Sequence, residues 1–168
     1  MTLRADAQRN LDRVLVVAGE CFADRGLDVS IDEIAKRAGV GHGTVFRRFP
    51  TKDALVQAVV GMRIRELVES AQAAAEEPDA GEAFGRFFRH ISALYRDNLS
   101  LIEGFERCAG SPDQCELFEA VQRIVSGAQE AGMLRRDVTA EDVLRLVPAG
   151  AQYPQIVLDG LRAYSDLR

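Results

Sequence analysis

An all-helical fold is predicted by three features of the chain. Apolar residues recur at spacings of three and four almost everywhere, and no stretch alternates apolar and polar residues for long. Serine, threonine and proline stand where helices would start, and glycine where they would stop. Of 168 residues, 47% are apolar, enough for a continuous core in one or two small domains. The formal charge is -5, so any attraction to a polyanion must be local.

The first helix is set by Leu11, Val14, Leu15, Ala18 and Phe22, spaced i, i+3, i+4, i+7 and i+11, one apolar stripe over about six turns. Gly26 is its expected C-cap. Ser30 to Glu33 reads SIDE, a capping box that opens a second helix with Ile34, Ala35 and Ala38 inward, stopped by Gly39. A third helix fits from about His42 to Arg48, because Pro50 pushes the residue before it out of the helical region. Thr51 caps a fourth and longer helix with Leu55, Val59, Met62, Ile64, Leu67 and Val68 inward. The segment EEPDAGE, residues 76–82, then breaks the pattern. Beyond it, helices are predicted over about 80–97, 100–109, 112–131, 139–150 and 153–166. Pro112 takes the first position of one, Gly132 ends it, and Thr139 with Asp142 opens the next.

Residues 39–49, GVGHGTVFRRF, carry the chemistry. Two short helices joined by AGVG, with a tight turn at Gly39 and Val40 plugging the angle, describe a helix-turn-helix. Val45 and Phe49 are four apart and face inward, which leaves His42, Thr44, Arg47 and Arg48 on exposed faces. Amides at the helix start and Thr44 suit phosphate, and the arginines suit either phosphate or the guanine edge in a major groove. Gly41 and Gly43 allow close backbone approach. Charge is distributed accordingly: residues 1–57 carry nine Lys or Arg against eight Asp or Glu, whereas the remainder carries twelve against eighteen. Between 35 and 53, Lys36, Arg37, Arg47, Arg48 and Lys52 are offset by Asp53 alone. The alternative is that the arginines are ordinary solvated charges and the glycines plain caps.

The order of these signals, a long apolar helix, SIDEIAKRAGV, GHGTVFRRF and then PTKDAL, resembles the DNA-binding domain of TetR-family transcriptional regulators over about residues 8–60. The resemblance implies an N-terminal three-helix helix-turn-helix domain over 1–54 and a C-terminal helical ligand-binding and dimerisation domain over 55–168. It implies that Ser30 touches phosphate, that the segment from Gly41 to Arg48 reads the major groove, that Thr44 contacts the backbone and that Lys52 reaches phosphate. Phe46 stands where a tyrosine is frequent and has no hydroxyl for phosphate, so packing against the first helix or deoxyribose competes with a base contact. Gly41 replaces a frequent serine or threonine cap. The resemblance further implies a homodimer on a palindromic double-stranded operator, with a small-molecule effector that releases it.

In the C-terminal part, FGRFFRHISALY gives an aromatic-rich face of Phe84, Phe88, Ile91 and Tyr95, continued by Phe105 and Phe118. This face suits either a ligand pocket or plain core; Gln122, His90, Glu103, Glu106 and Tyr153 are the polar groups available to orient a ligand. Leu144, Val147, Val157, Leu158 and Leu161 on the last two helices exceed what one small helix pair can hide, and an intersubunit four-helix bundle would absorb them.

No catalytic, metal or cofactor site is expected. The GVGHG glycines follow no strand and precede no GK[ST], there is no HExxH, and the two histidines, His42 and His90, lie far apart in sequence. Cys21, Cys108 and Cys115 are odd in number and lack CxxC spacing. No apolar run of about 18 residues occurs and MTLRADAQRN has no signal-peptide pattern, so a soluble cytoplasmic protein without a membrane partner is expected. The sequence therefore reads as a ligand-responsive repressor; the alternative is a helical adaptor of the same fold that no longer binds DNA.

Overall fold

The computed structural model describes residues 2–97 and 112–163. Among them are eight α-helices and no strand. The expected helix over 100–109, with Phe105, Glu103, Glu106 and Cys108, lies outside the described residues, as do residues 164–166 of the helix expected over 153–166. Two compact units divide within the fourth helix: residues 2–63 belong to one, and 64–97 with 112–163 to the other.

The first unit contains α1 (Thr2–Arg25), α2 (Ile31–Ala38), α3 (His42–Arg48) and the start of α4 (Lys52–Ala75). Val14, Leu15, Ala18 and Phe22 of α1 are buried with Ile34, Ala35, Val45, Phe49, Leu55 and Val59. Each large side chain hidden here contributes about 1.5–3 kcal/mol relative to an exposed one. Gly26 is left-handed, as its role after α1 requires, and starts a single 3-10 turn, Gly26–Asp28. The second helix begins with half of the expected capping box. Ser30 Oγ accepts from the Glu33 amide at 3.2 Å, but the Glu33 carboxylate reaches out to Arg25 instead of returning to the cap. Thr51 caps α4 as predicted, its Oγ1 accepting from the Ala54 amide at 3.1 Å.

The second unit contains the rest of α4, α5 (Ala80–Asp97), α6 (Pro112–Glu130), α7 (Ala140–Gln152) and α8 (Pro154–Leu161). Its core is Phe84, Phe87, Phe88, Leu117, Val121, Val125 and Val143. Helices α5 and α7 meet at Gly150, where a Cβ would stand 2.6 Å from the Phe88 ring and 2.5 Å from Ser92 Oγ. Thr139 and Asp142 form a complete capping box: Asp142 Oδ2 accepts from the Thr139 amide at 2.9 Å, and Thr139 Oγ1 accepts from the Asp142 amide at 3.1 Å. The Thr139 hydroxyl, and then its amide, hold the Asp142 carboxyl below the usual aspartate range. Helix α8 is shorter than the predicted 153–166. Arg162 turns extended, the Ala163 amide donates to Met133 O at 3.1 Å, and the Arg135 amide donates to Leu161 O at 3.0 Å. Hydrogen bonds to the 133–135 segment thus take the amide and the carbonyl that a longer helix would have used.

Candidate nucleic-acid interface

Helices α2 and α3 are joined by a tight turn at Gly39. Gly39 has φ 64 and its amide donates to Lys36 O at 3.2 Å, while the Val40 amide donates to Ala35 O at 3.0 Å. These two bonds close α2, and the left-handed residue between them favours glycine. Gly41 is the N-cap of α3, at φ -61 and ψ 136, with no side chain to bond the first amides. Val45 and Phe49 anchor α3 inward, 2% and 5% exposed. His42, Thr44, Arg47 and Arg48 are exposed, as the spacing predicts, and Phe46 is exposed as well.

The exposed side chains are not equally free. Arg47 folds back along its own helix, its Nε donating to Gly43 O at 3.0 Å. His42 Nδ1 lies at ion-pair distance from Asp32 Oδ1 at the start of α2, and the imidazole lies near-parallel to the Phe46 ring with centroids 5.7 Å apart and planes at 19°. Phe46 remains 50% exposed. Arg37, counted from the sequence in the basic patch, is held by α1: it pairs with Glu20 at 3.2 Å and Asp24 at 3.7 Å and donates to Cys21 Sγ at 3.6 Å. Among the described residues, Lys36, Arg48 and Lys52 make no ion pair. Arg47 makes none either, since its bond to a carbonyl leaves its charge uncompensated, and these four cations are the local positive charge that an acidic chain offers to a polyanion.

In the second unit, Phe84, Phe88 and Ile91 are buried, and Phe84 stacks on Phe88 at 6.3 Å. Tyr95 is half-buried, whereas Phe118 and Gln122 are exposed on α6 and His90 is exposed on α5. A cleft of about 160 Å³ is lined by Phe84, Gly85, Arg89, Met133, Leu134, Gln155, Leu158 and Arg162 among others. Of the described side chains expected to hold a ligand, only Phe84 lines it. Sequence reasoning missed Arg89, from the middle of α5, and Gln155 and Arg162, from the two ends of α8, which periodicity does not relate. Leu158, Leu161 and Val147, expected at a subunit interface, are buried within the chain itself, and Leu144 and Val157 are half-buried. The large apolar surface left open nearby is Tyr153, 58% exposed, and Ile156, 71% exposed.

A short helix with exposed polar and aromatic side chains, joined by a glycine turn to the helix before it, is a helix-turn-helix, the kind of motif DNA-binding proteins use to enter a major groove. The sequence pattern described as "Bacterial regulatory proteins, tetR family" matches residues 14–59. A TetR transcription regulatory protein of Mycobacterium vanbaalenii is 38% identical and superimposes with a TM-score of 0.77, covering 95% of this chain and 99% of that one. The HTH-type transcriptional repressor Rv3405c of Mycobacterium tuberculosis is 45% identical over 110 residues, 65% of this chain and 57% of that protein. The HTH-type transcriptional activator FasR of Mycolicibacterium smegmatis is 34% identical over 93 residues, 50% of this chain and 42% of that protein. The matched part thus spans roughly half of these two curated relatives. The chain belongs to the TetR family of transcriptional regulators, which are not enzymes. No described helix is long and apolar enough to cross a membrane.

Proposed function

We propose that the protein is a homodimeric repressor that binds a palindromic operator through α3 and leaves it when a small molecule occupies the C-terminal unit. The observation that carries the DNA part is the set of cations without an ion pair, Lys36, Arg47, Arg48 and Lys52, on α3 and the helices before and after it, together with an α3 whose outer residues face solvent. Ser30 and Thr44 are exposed and available to phosphate. A repressor, 45% identical over its matched part, supports repression. Helix α4 supplies residues 52–63 to the first unit and 64–75 to the second, so a shift of that helix would carry effector binding to α3. The cleft lined by Phe84, Arg89, Gln155 and Arg162 is the place for the effector; its volume suits a ligand smaller than the usual drug-sized occupant.

The experiment is selection of bound duplexes from a random library at two salt concentrations. A palindromic motif whose affinity falls with salt is expected, because cations that displace counterions from phosphate make binding salt-dependent. Recovery of no motif at either concentration would replace this reading by that of a helical adaptor.

A further inference from the structure

Of 21 basic residues in the chain only two are lysine, Lys36 and Lys52; the other 19 are arginine. Both lysines fall in the first unit, Lys36 in the last turn of α2 and Lys52 as the first residue of α4, the helices before and after α3. Lys36 is exposed and Lys52 half-buried. Arginines such as Arg25, Arg65 and Arg89 are matched with carboxylates, whereas among the described residues neither lysine is in an ion pair. The chain thus spends arginine on structural pairs and keeps its two side-chain amines unpaired in the helix-turn-helix unit.

Lysine and arginine both bind phosphate, but they differ in what can be done to their charge. A guanidinium keeps its charge at physiological pH, while an ε-amine is a nucleophile whose charge disappears on conversion to an amide. Resting on the reading of α3 as the DNA-facing helix, we propose that Lys36 and Lys52 are acylation sites through which an acyl phosphate lowers the protein's affinity for DNA. The donor suits the unit, because an acyl phosphate is an anion and these lysines carry positive charge that no carboxylate offsets. The step is a group transfer without oxidation or reduction. The ε-ammonium gives a proton to water, the amine nitrogen attacks the acyl carbon, a nitrogen-carbon bond forms and the carbon-oxygen bond to phosphate breaks. Inorganic phosphate leaves with the electron pair, and the surplus proton on nitrogen passes to water. A neutral amide remains. The fold loses no ion pair with that charge, and the helix dipole favours a cation at Lys36 but opposes one at Lys52.

The test incubates the protein with acetyl phosphate, with free Nα-acetyllysine in the same solution as a reactivity standard, and reads the modified positions by peptide mass spectrometry. Acetyl groups are expected on Lys36 and Lys52, with the melting temperature unchanged. Salt titration of the selected duplex should then show weaker binding and a slope smaller by about 0.9 for each lysine that met a phosphate. The variant Lys36→Arg with Lys52→Arg keeps both charges and offers no amine at either site, so its affinity, whatever its starting value, should be unmoved by the same treatment. Three results overturn the proposal alone: both lysines left unmodified while the standard is acetylated, a modified protein with unchanged affinity and slope, or an equal loss of affinity on treating the arginine variant. Recovery of no specific duplex overturns the DNA reading itself, and this proposal with it.

Discussion

Arg37 and Arg48 belong to one basic segment of the sequence, yet only Arg48 is available to a partner. Arg37 is engaged by Glu20 and Asp24, 17 and 13 residues earlier on α1, and anchors α2 to α1. Charges along a sequence show what is present but not what is already paired, so a patch counted from residue types overstates its free charge. The two arginines should therefore separate by experiment. Arg48→Ala is expected to leave the melting temperature unchanged and to weaken DNA binding, by about 1–3 kcal/mol if the side chain reads a base, or with the salt slope reduced by about one if it meets phosphate. Arg37→Ala is expected to lower stability instead, by about 0.2–1 kcal/mol for each lost pair, since both pairs are half exposed and screened by solvent. Thermal denaturation and a salt titration of operator binding measure both effects. Equal loss of stability in the two variants would contradict the division of roles.

At the scale of elements, the helices were legible because the devices that start and stop them are local. Gly39, Thr51, Pro112, Gly132 and the Thr139–Asp142 box all act within a few residues of themselves. The failure at Ser30 has a long-range cause: Arg25, on the preceding helix, takes the carboxylate that the box needed. The end of α8 was missed for the same reason, since the segment at 133–135 claims its backbone. Helix α3 offers a further prediction. Gly43 lies inside it without a positive φ, and a Cβ there would meet nothing within 4 Å. Neither backbone strain nor packing calls for glycine, which costs a helix up to about 1 kcal/mol relative to alanine. Gly43→Ala should thus leave the melting temperature equal or higher, by up to about 1 kcal/mol of stability. If α3 meets DNA as proposed, it should also weaken operator binding, because a Cβ would fill the space through which DNA would approach the backbone. Stability and binding measured on one preparation decide the matter. Gain in both would show that the space serves no partner.

For the whole molecule, the question is which apolar residues serve the chain and which serve a second copy. Periodicity marks the stripe on α7 and α8, but the same spacing describes a helix buried in its own unit and one buried against another subunit. Val147, Leu158 and Leu161 turn out to be spent on the chain's own core, leaving Tyr153 and Ile156 as the open apolar residues of the C-terminal helix pair. Tyr153 is the C-cap of α7 and Ile156 follows in the first turn of α8, so both belong to one short stretch of surface. An isologous dimer would bring that stretch against its symmetry mate, so that one substitution acts twice. Charge at these sites is then expected to abolish dimerisation without harming the fold: Tyr153→Glu with Ile156→Glu should sediment as a folded monomer and lose cooperative binding to a palindromic duplex. Charge at Leu158 should act differently, by placing an unpaired carboxylate in the core of the second unit, and should unfold it. A double variant that sediments as a dimer would move the interface elsewhere, and the exposed face of α6 with Phe118 and Gln122 would be the next place to substitute.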